Sequence, residues 1–143
     1  MDVNQLKERV IQNVSSKREE ILRGIQKALM KEHPKNTKIL IFDQELRGTS
    51  LLVYAYSAES ISYPYPDPLL VTRIDLLQQA NLPHESVREE LIQWGQRVFI
   101  QLFTECFIEA GAKNYPLPCF LCDGALDYYY LQENRWLDIT EVY

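Results

Sequence analysis

Pro83-His84-Glu85-Ser86-Val87-Arg88-Glu89-Glu90-Leu91-Ile92-Gln93-Trp94-Gly95-Gln96-Arg97-Val98-Phe99-Ile100-Gln101-Leu102-Phe103-Thr104-Glu105-Cys106-Phe107-Ile108-Glu109-Ala110, followed by Gly111, reads as one long helix. Val87, Leu91, Trp94, Val98, Leu102 and Cys106 recur every three or four residues, and Ile92, Phe99, Phe103 and Phe107 run beside them. That spacing is the period of an amphipathic helix. From Val98 onward only Arg97, Gln101, Thr104, Glu105 and Glu109 remain as a polar stripe. A helix apolar over most of its circumference has to be enclosed on several sides. Pro83 suits a first turn, and Glu85, Glu89 and Glu90 lie where the positive helix end favours carboxylates. Gly111 supplies a left-handed terminator and Pro116 prevents resumption.

Working back towards the N-terminus, Val3 to Lys31 is helical in pattern. Val3, Leu6, Val10 and Val14 form one stripe and Ile21, Ile25, Ala28 and Leu29 another, interrupted at Lys17 and Arg18. Ser16-Lys17-Arg18-Glu19 fits a capping box, which favours a second helix start, but the expectation is one long helix. His33 falls where the negative end of that helix favours an imidazolium, and Pro34 stops the helix. Thr37–Asp43 and Ser50–Ser57 read as the strands of a hairpin joined by 44–49. Both are apolar on successive residues, which predicts cover on both faces, by one helix per face or by a subunit interface. Three prolines at alternate positions in 64–68 predict extended or polyproline-like chain. Leu69–Arg73 is a candidate strand and Asp75–Ala80 a candidate helical turn.

Beyond the central helix, Cys119-Phe120-Leu121-Cys122, Leu126–Leu131 and Arg135–Ile139 read as three short strands separated by turns at Asp123-Gly124-Ala125 and Glu133-Asn134. The expected architecture is a single α+β domain over residues 1–143. It comprises a long N-terminal helix, a β-hairpin, the buried central helix and an antiparallel C-terminal three-stranded meander.

The chain has 143 residues and a formal charge of −5. Its charge is uneven: Met1–Lys35 holds eight Lys/Arg against five Asp/Glu, and the remainder seven against fifteen. An acidic body disfavours nucleic acid, whose phosphates demand cations. It is compatible with a basic protein partner, although a negative net charge serves first to keep a protein in solution. No apolar run approaches the length of a membrane span. No secretory signal pattern opens the chain and the cysteines number three, so a reducing cytoplasm is expected.

Motifs for chemistry are few. Cys119 and Cys122 match C-x-x-C, but residues three apart on a strand point to opposite faces, and no helix starts there to lower a thiol pKa. Zinc wants four ligands, and only Cys106, His33 and His84 remain. No metal and no cofactor are therefore expected. No phosphate loop, nucleophile elbow or dinucleotide fingerprint is present. What stands out is the C-terminal segment. Asp123, Asp127, Glu133, Asp138 and Glu141 face a single cation, Arg135, and interleave with Tyr128, Tyr129, Tyr130, Trp136 and Tyr143. Tyrosine and tryptophan give large, stiff contact area with a polar handle. Alternation sets Tyr128 and Tyr130 on one sheet face and Asp127 and Tyr129 on the other. The partner-binding candidates are thus Asp123, Asp127, Tyr128, Tyr130, Glu133 and Asp138.

The aromatic helix, Gly111, Tyr115-Pro116-Leu117-Pro118, the strand reaching Asp123, Asp127-Tyr128 and Arg135-Trp136 together resemble the C-terminal part of small bacterial immunity-type proteins that accompany secreted toxins. The resemblance implies a non-enzymatic inhibitor that occludes a basic toxin surface. The helix–strand–strand start and acidic charge also resemble, in layout alone, the dimeric chaperones of secreted effectors. An enzyme with dispersed catalytic residues stays open as a third reading.

Overall fold

The N-terminal segment folds as two helices rather than one. In this computed structural model, which describes residues 2–61, 63–77, 85–122 and 127–137, α1 spans Val3–Ser15 and α2 spans Arg18–Met30. The break has a steric logic. A continuous helix over 3–31 would run about 44 Å. It could not hold Val10 against the central helix and also bring Gly24 onto the sheet. The capping box forms at the other end, where Gln5 N donates to Asp2 Oδ1 (2.8 Å) and Asp2 N to Gln5 Oε1 (3.0 Å). At the break Ser16 Oγ instead donates back to the Asn13 carbonyl, and Lys17, without a side-chain cap, precedes α2.

The central helix, α3, spans Glu85–Glu109 and ends at Gly111, whose φ of 76° is left-handed. Pro83 and His84 lie outside the described residues. Among the described residues seven strands form one mixed sheet: β1 (Ile39–Arg47), β2 (Ser50–Ser60), β3 (Tyr63–Pro64), β4 (Leu69–Asp75), β5 (Cys119–Cys122), β6 (Tyr128–Tyr130) and β7 (Arg135–Trp136). Their order is β3-β2-β1-β5-β6-β7, with β4 also on the outer flank of β2. The β1–β2 hairpin is longer than its sequence suggests. Pairing continues to Arg47↔Ser50, leaving only Gly48-Thr49 as the loop, with Gly48 at φ 64°. In the proline-rich stretch Tyr63–Pro64 pairs with β2 and the Tyr65 amide donates to the Ser57 carbonyl at 2.8 Å, and Asp67 turns the chain at φ 65°. At 76–77 the chain turns without forming a helix, and 78–80 lie outside the described residues.

The C-terminal strands form a short antiparallel run β5-β6-β7, and this run joins the hairpin sheet. β5 runs parallel to β1, with Leu40↔Cys119 and Phe42↔Leu121 in register, and β6 and β7 follow antiparallel. They extend the hairpin sheet. β6 and β7 are also shorter than expected, and 138–143 lie outside the described residues.

Among the described residues α1, α2 and α3 lie on one face of the sheet. Every buried apolar side chain of the helices belongs to the cluster containing Leu40, Phe42, Val53 and Leu121, whereas Ile41, Ala58 and Cys122 form a small second cluster without helical members. The expectation of one helix per face therefore fails. On the second face the apolar residues are covered by their cross-strand neighbours and half-buried tyrosines. In the main core, Phe103 meets Phe42 edge-on at 5.1 Å between centroids and Phe99 at 5.6 Å. On its other side α3 takes Val10 and Leu76 over Gly95, and Trp94 Nε1 donates to the Lys7 carbonyl. Arg18 forks onto Glu105 (3.6 Å) and Glu109, tying the start of α2 to the polar stripe of α3. Among the described residues no helix is long and apolar enough to cross a membrane.

Gly24 is the tightest junction between α2 and the sheet. A Cβ there would stand 2.7 Å from both Val71 Cγ1 and the Val71 carbonyl oxygen. Gly→Ala in a helix normally gains about 1 kcal/mol in propensity. Here backbone would have to move, at a cost of about 1–3 kcal/mol. Gly24→Ala is therefore expected to lower the urea midpoint. A midpoint unchanged or raised would mean that α2 and β4 are further apart than described.

Candidate functional site

The face turned away from the helices carries two rows of side chains set by register. One row runs Tyr56, Ile41, Phe120, Tyr130 and Arg135 across β2, β1, β5, β6 and β7; the next runs Tyr54, Asp43, Cys122 and Tyr128. Glu45 lies two residues along β1 from Asp43 and so shares its face. Phe120 and Tyr130 touch at 5.0 Å between centroids, and the Arg135 guanidinium lies 5.9 Å over Tyr130. Between the rows a recess of about 300 Å³ is lined by Ile41, Asp43, Tyr56, Cys122, Tyr128 and the flanking Pro64. Burial, together with the carboxylates of Asp43 and Glu45, pushes the Tyr56 phenol above its usual range. It stays a neutral hydrogen-bond donor.

The sequence-derived candidates distribute unevenly over this site. Tyr128 and Tyr130 are on it, half-buried. Asp127 is exposed just before β6, and Glu133 is exposed in the β6–β7 turn, where it accepts from Arg135 Nε at 2.9 Å. Asp123 and Asp138 lie outside the described residues. Tyr129 turns to the helix side and meets Trp136 edge-on at 5.3 Å. The hairpin residues Asp43, Glu45, Tyr54 and Tyr56 join the site although the sequence reading passed them over. Their i, i+2 spacing was visible as two polar–aromatic alternations. Only the parallel β1–β5 pairing, however, brings them beside Tyr128 and Tyr130.

Cys119 and Cys122 sit on opposite faces, the first in the helix-side core and the second in the small cluster. Burial pushes the Cys119 thiol up to about 12, against a weaker opposing hydrogen bond from Gln132. Cys106 is also raised, chiefly by burial, with Arg18 opposing. His33 departs from its expected role as a helix-end cation. Its Nδ1 lies 2.6 Å from Ser57 Oγ, and its Nε2 is buried without a hydrogen-bond partner. Burial lowers its pKa; the nearby Ala28 carbonyl resists the shift and Lys31 adds to it. The space beside the pair, about 10 Å³, leaves no room for a substrate. His33 and Ser57 join the end of α2 to β2.

Compared with family models, curated proteins and solved structures, the chain finds no match.

Two outcomes follow from these groups. Cys106 and Cys119 should resist Ellman's reagent in native protein and react once the chain is unfolded, because a protonated buried thiol is a poor nucleophile. Rapid native labelling of Cys119, located by peptide mass mapping, would contradict its burial. His33 is easier to protonate in the unfolded chain than in the folded one. Its contribution to stability is thus complete above the ordinary value of 6.5 and is lost as pH falls through the depressed folded value. Melting temperatures between about pH 5 and 8 should fall more steeply on the acid side for wild type than for His33→Asn. Parallel curves would refute the linkage.

Proposed function

We propose that this protein is a non-enzymatic protein-binding module of the immunity or inhibitor type, which covers a basic surface on a partner with its helix-free sheet face. The observation that carries this reading is the pair of cross-strand rows. Tyrosines from β2 and β6 flank a recess, with Asp43 and Glu45 beside it. Tyrosines at this density supply anchored contact at small entropic cost, and carboxylates attract a cationic partner from a distance. Asp127 and Glu133 add acidic groups along the same edge. The exclusion of nucleic acid rests on the net charge of −5. The cytoplasmic assignment rests on three free, buried thiols.

The test is binding to the protein encoded beside it, followed by surface plasmon resonance at low and physiological salt. Tyr56→Ala and Tyr130→Ala should each raise the dissociation rate about 30-fold, the scale of a 2 kcal/mol hot spot, with far-ultraviolet circular dichroism unchanged. Asp127→Asn combined with Glu45→Gln should slow association and flatten its salt dependence, since exposed charges are screened within about 8 Å at physiological ionic strength. Rates that are unaltered in all of these variants would overturn the assignment of this face.

A further inference from the structure

The recess between the two rows of the tyrosine face, about 300 Å³ in volume, brings three kinds of group together. Ile41 and Cys122 are buried and belong to one small apolar cluster, and Tyr56 and Tyr128 pack against it. Those tyrosines come from β2 and β6, three strands apart in the sheet, or about 14 Å at ordinary strand spacing. They stand on opposite sides of an apolar floor. Ile61 and Pro64 line the β3 side, and Asp43 supplies the carboxylate. Asp43 is half-buried, and its charge reaches Tyr56: burial first, then this carboxylate, raises the phenol above its usual range. Glu45, two residues further along β1, accepts from Arg47 Nε at 3.1 Å. A carboxylate accepts from several donors at once, so Asp43 can take a further donor whatever it already holds.

That lining narrows what the recess accepts. Among the described residues it contains no Lys, Arg or His. An anion would meet Asp43, with Glu45 close behind. A wholly apolar group would strip water from a half-buried carboxylate and offer no hydrogen bond in return. A cation on an apolar stem matches every part of it: the stem suits Ile41, Ile61 and Pro64, and the charge suits Asp43 and the tyrosine faces. The volume is at the low end for ligand clefts, which fits one long side chain rather than a folded segment. Lysine ends in a compact, strongly hydrated point charge. Arginine ends in a planar, weakly hydrated group that lies on aromatic rings and donates two parallel bonds to one carboxylate. The same face already holds an arginine in this manner. The Arg135 guanidinium lies 5.9 Å over Tyr130 while its Nε donates to Glu133 at 2.9 Å.

We propose that this recess is a socket for one arginine side chain of a partner protein, its guanidinium on Asp43 between Tyr56 and Tyr128 and its methylene stem on Ile41. The inference rests on the protein-binding reading of this face and names the residue type that anchors there. It also divides the carboxylates by role. Asp43 holds the anchor, whereas Glu45, Asp127 and Glu133 attract from a distance.

The experiment titrates the full chain, at fixed ionic strength, with the N-acetyl methylamides of arginine, lysine and citrulline, the last an uncharged isostere of arginine. NMR follows the Ile41 methyl groups and the Tyr56 and Tyr128 rings. The arginine derivative should give saturable shifts at all three residues, lysine should bind more weakly, and citrulline weakest. Asp43→Asn should weaken the arginine derivative about tenfold, the scale of one charge-assisted hydrogen bond, and leave citrulline unchanged. Glu133→Gln, outside the recess, should alter none of the three. Tyr56→Phe should keep the preference for arginine over lysine and Tyr56→Leu should lose it, because the ring face carries that preference. The comparison of three probes on wild type stands even where a variant fails to fold. No saturation at these residues, citrulline or lysine binding as tightly as arginine, or arginine binding untouched by Asp43→Asn would each overturn the socket. The probes need no partner protein, so an empty socket and a failed protein-binding reading are told apart: the latter is decided by the rate measurements on Tyr130→Ala and Asp127→Asn, which change groups outside the recess.

Discussion

Enclosing α3 is the constraint from which the rest of this structure follows. Leu91, Phe99, Leu102, Phe103, Cys106 and Phe107 point in too many directions for a single neighbour to bury them. Each buried phenylalanine returns about 1.5–3 kcal/mol relative to exposure, so leaving one side open would be costly for a domain of ordinary stability. The sheet meets one side through Phe42 against Phe103. α1 and α2 meet the other, over Gly95 and at Cys106, whose Sγ donates to the Arg18 carbonyl.

That demand explains two features that are otherwise arbitrary. The N-terminal segment breaks near Lys17 because α1 has to lie along α3 while α2 turns to cover β4, and Gly24 permits the backbone approach at Val71. β5 joins β1 in parallel because the sheet floor beneath α3 has to be wide enough. Through that pairing Cys119 and Leu121 enter the same core cluster as Phe99 and Phe103.

Concentrating all helices on one face has a consequence for the other. Among the described residues Ile41, Ala58 and Cys122 find cover from neighbouring strands and tyrosines, and that face is half-buried, aromatic and acidic. The candidate surface is thus a by-product of one helical layer laid on a sheet wider than itself.

Local pattern determined much. The helix over Glu85–Glu109 and its terminator Gly111, the two hairpin strands, the short strand at Cys119–Cys122 with its divergent sulfurs, and the placing of Tyr128 and Tyr130 on one face of their strand are all readable from period and turn chemistry. These depend on residues within a few positions of each other. Tertiary structure decided between one N-terminal helix and two, a choice the sequence left open at Lys17, and it alone decided the parallel β1–β5 seam, the single helical layer and the half-buried His33 with its lowered pKa. Each depends on residues dozens of positions apart competing for the same space. The same holds for the candidate surface. Tyr128 and Tyr130 were legible, but Asp43 and Tyr56 reach them only through β1–β5 pairing. Periodicity reports which face a residue takes on its own element; which elements lie opposite is set by how the whole apolar surface of α3 is covered.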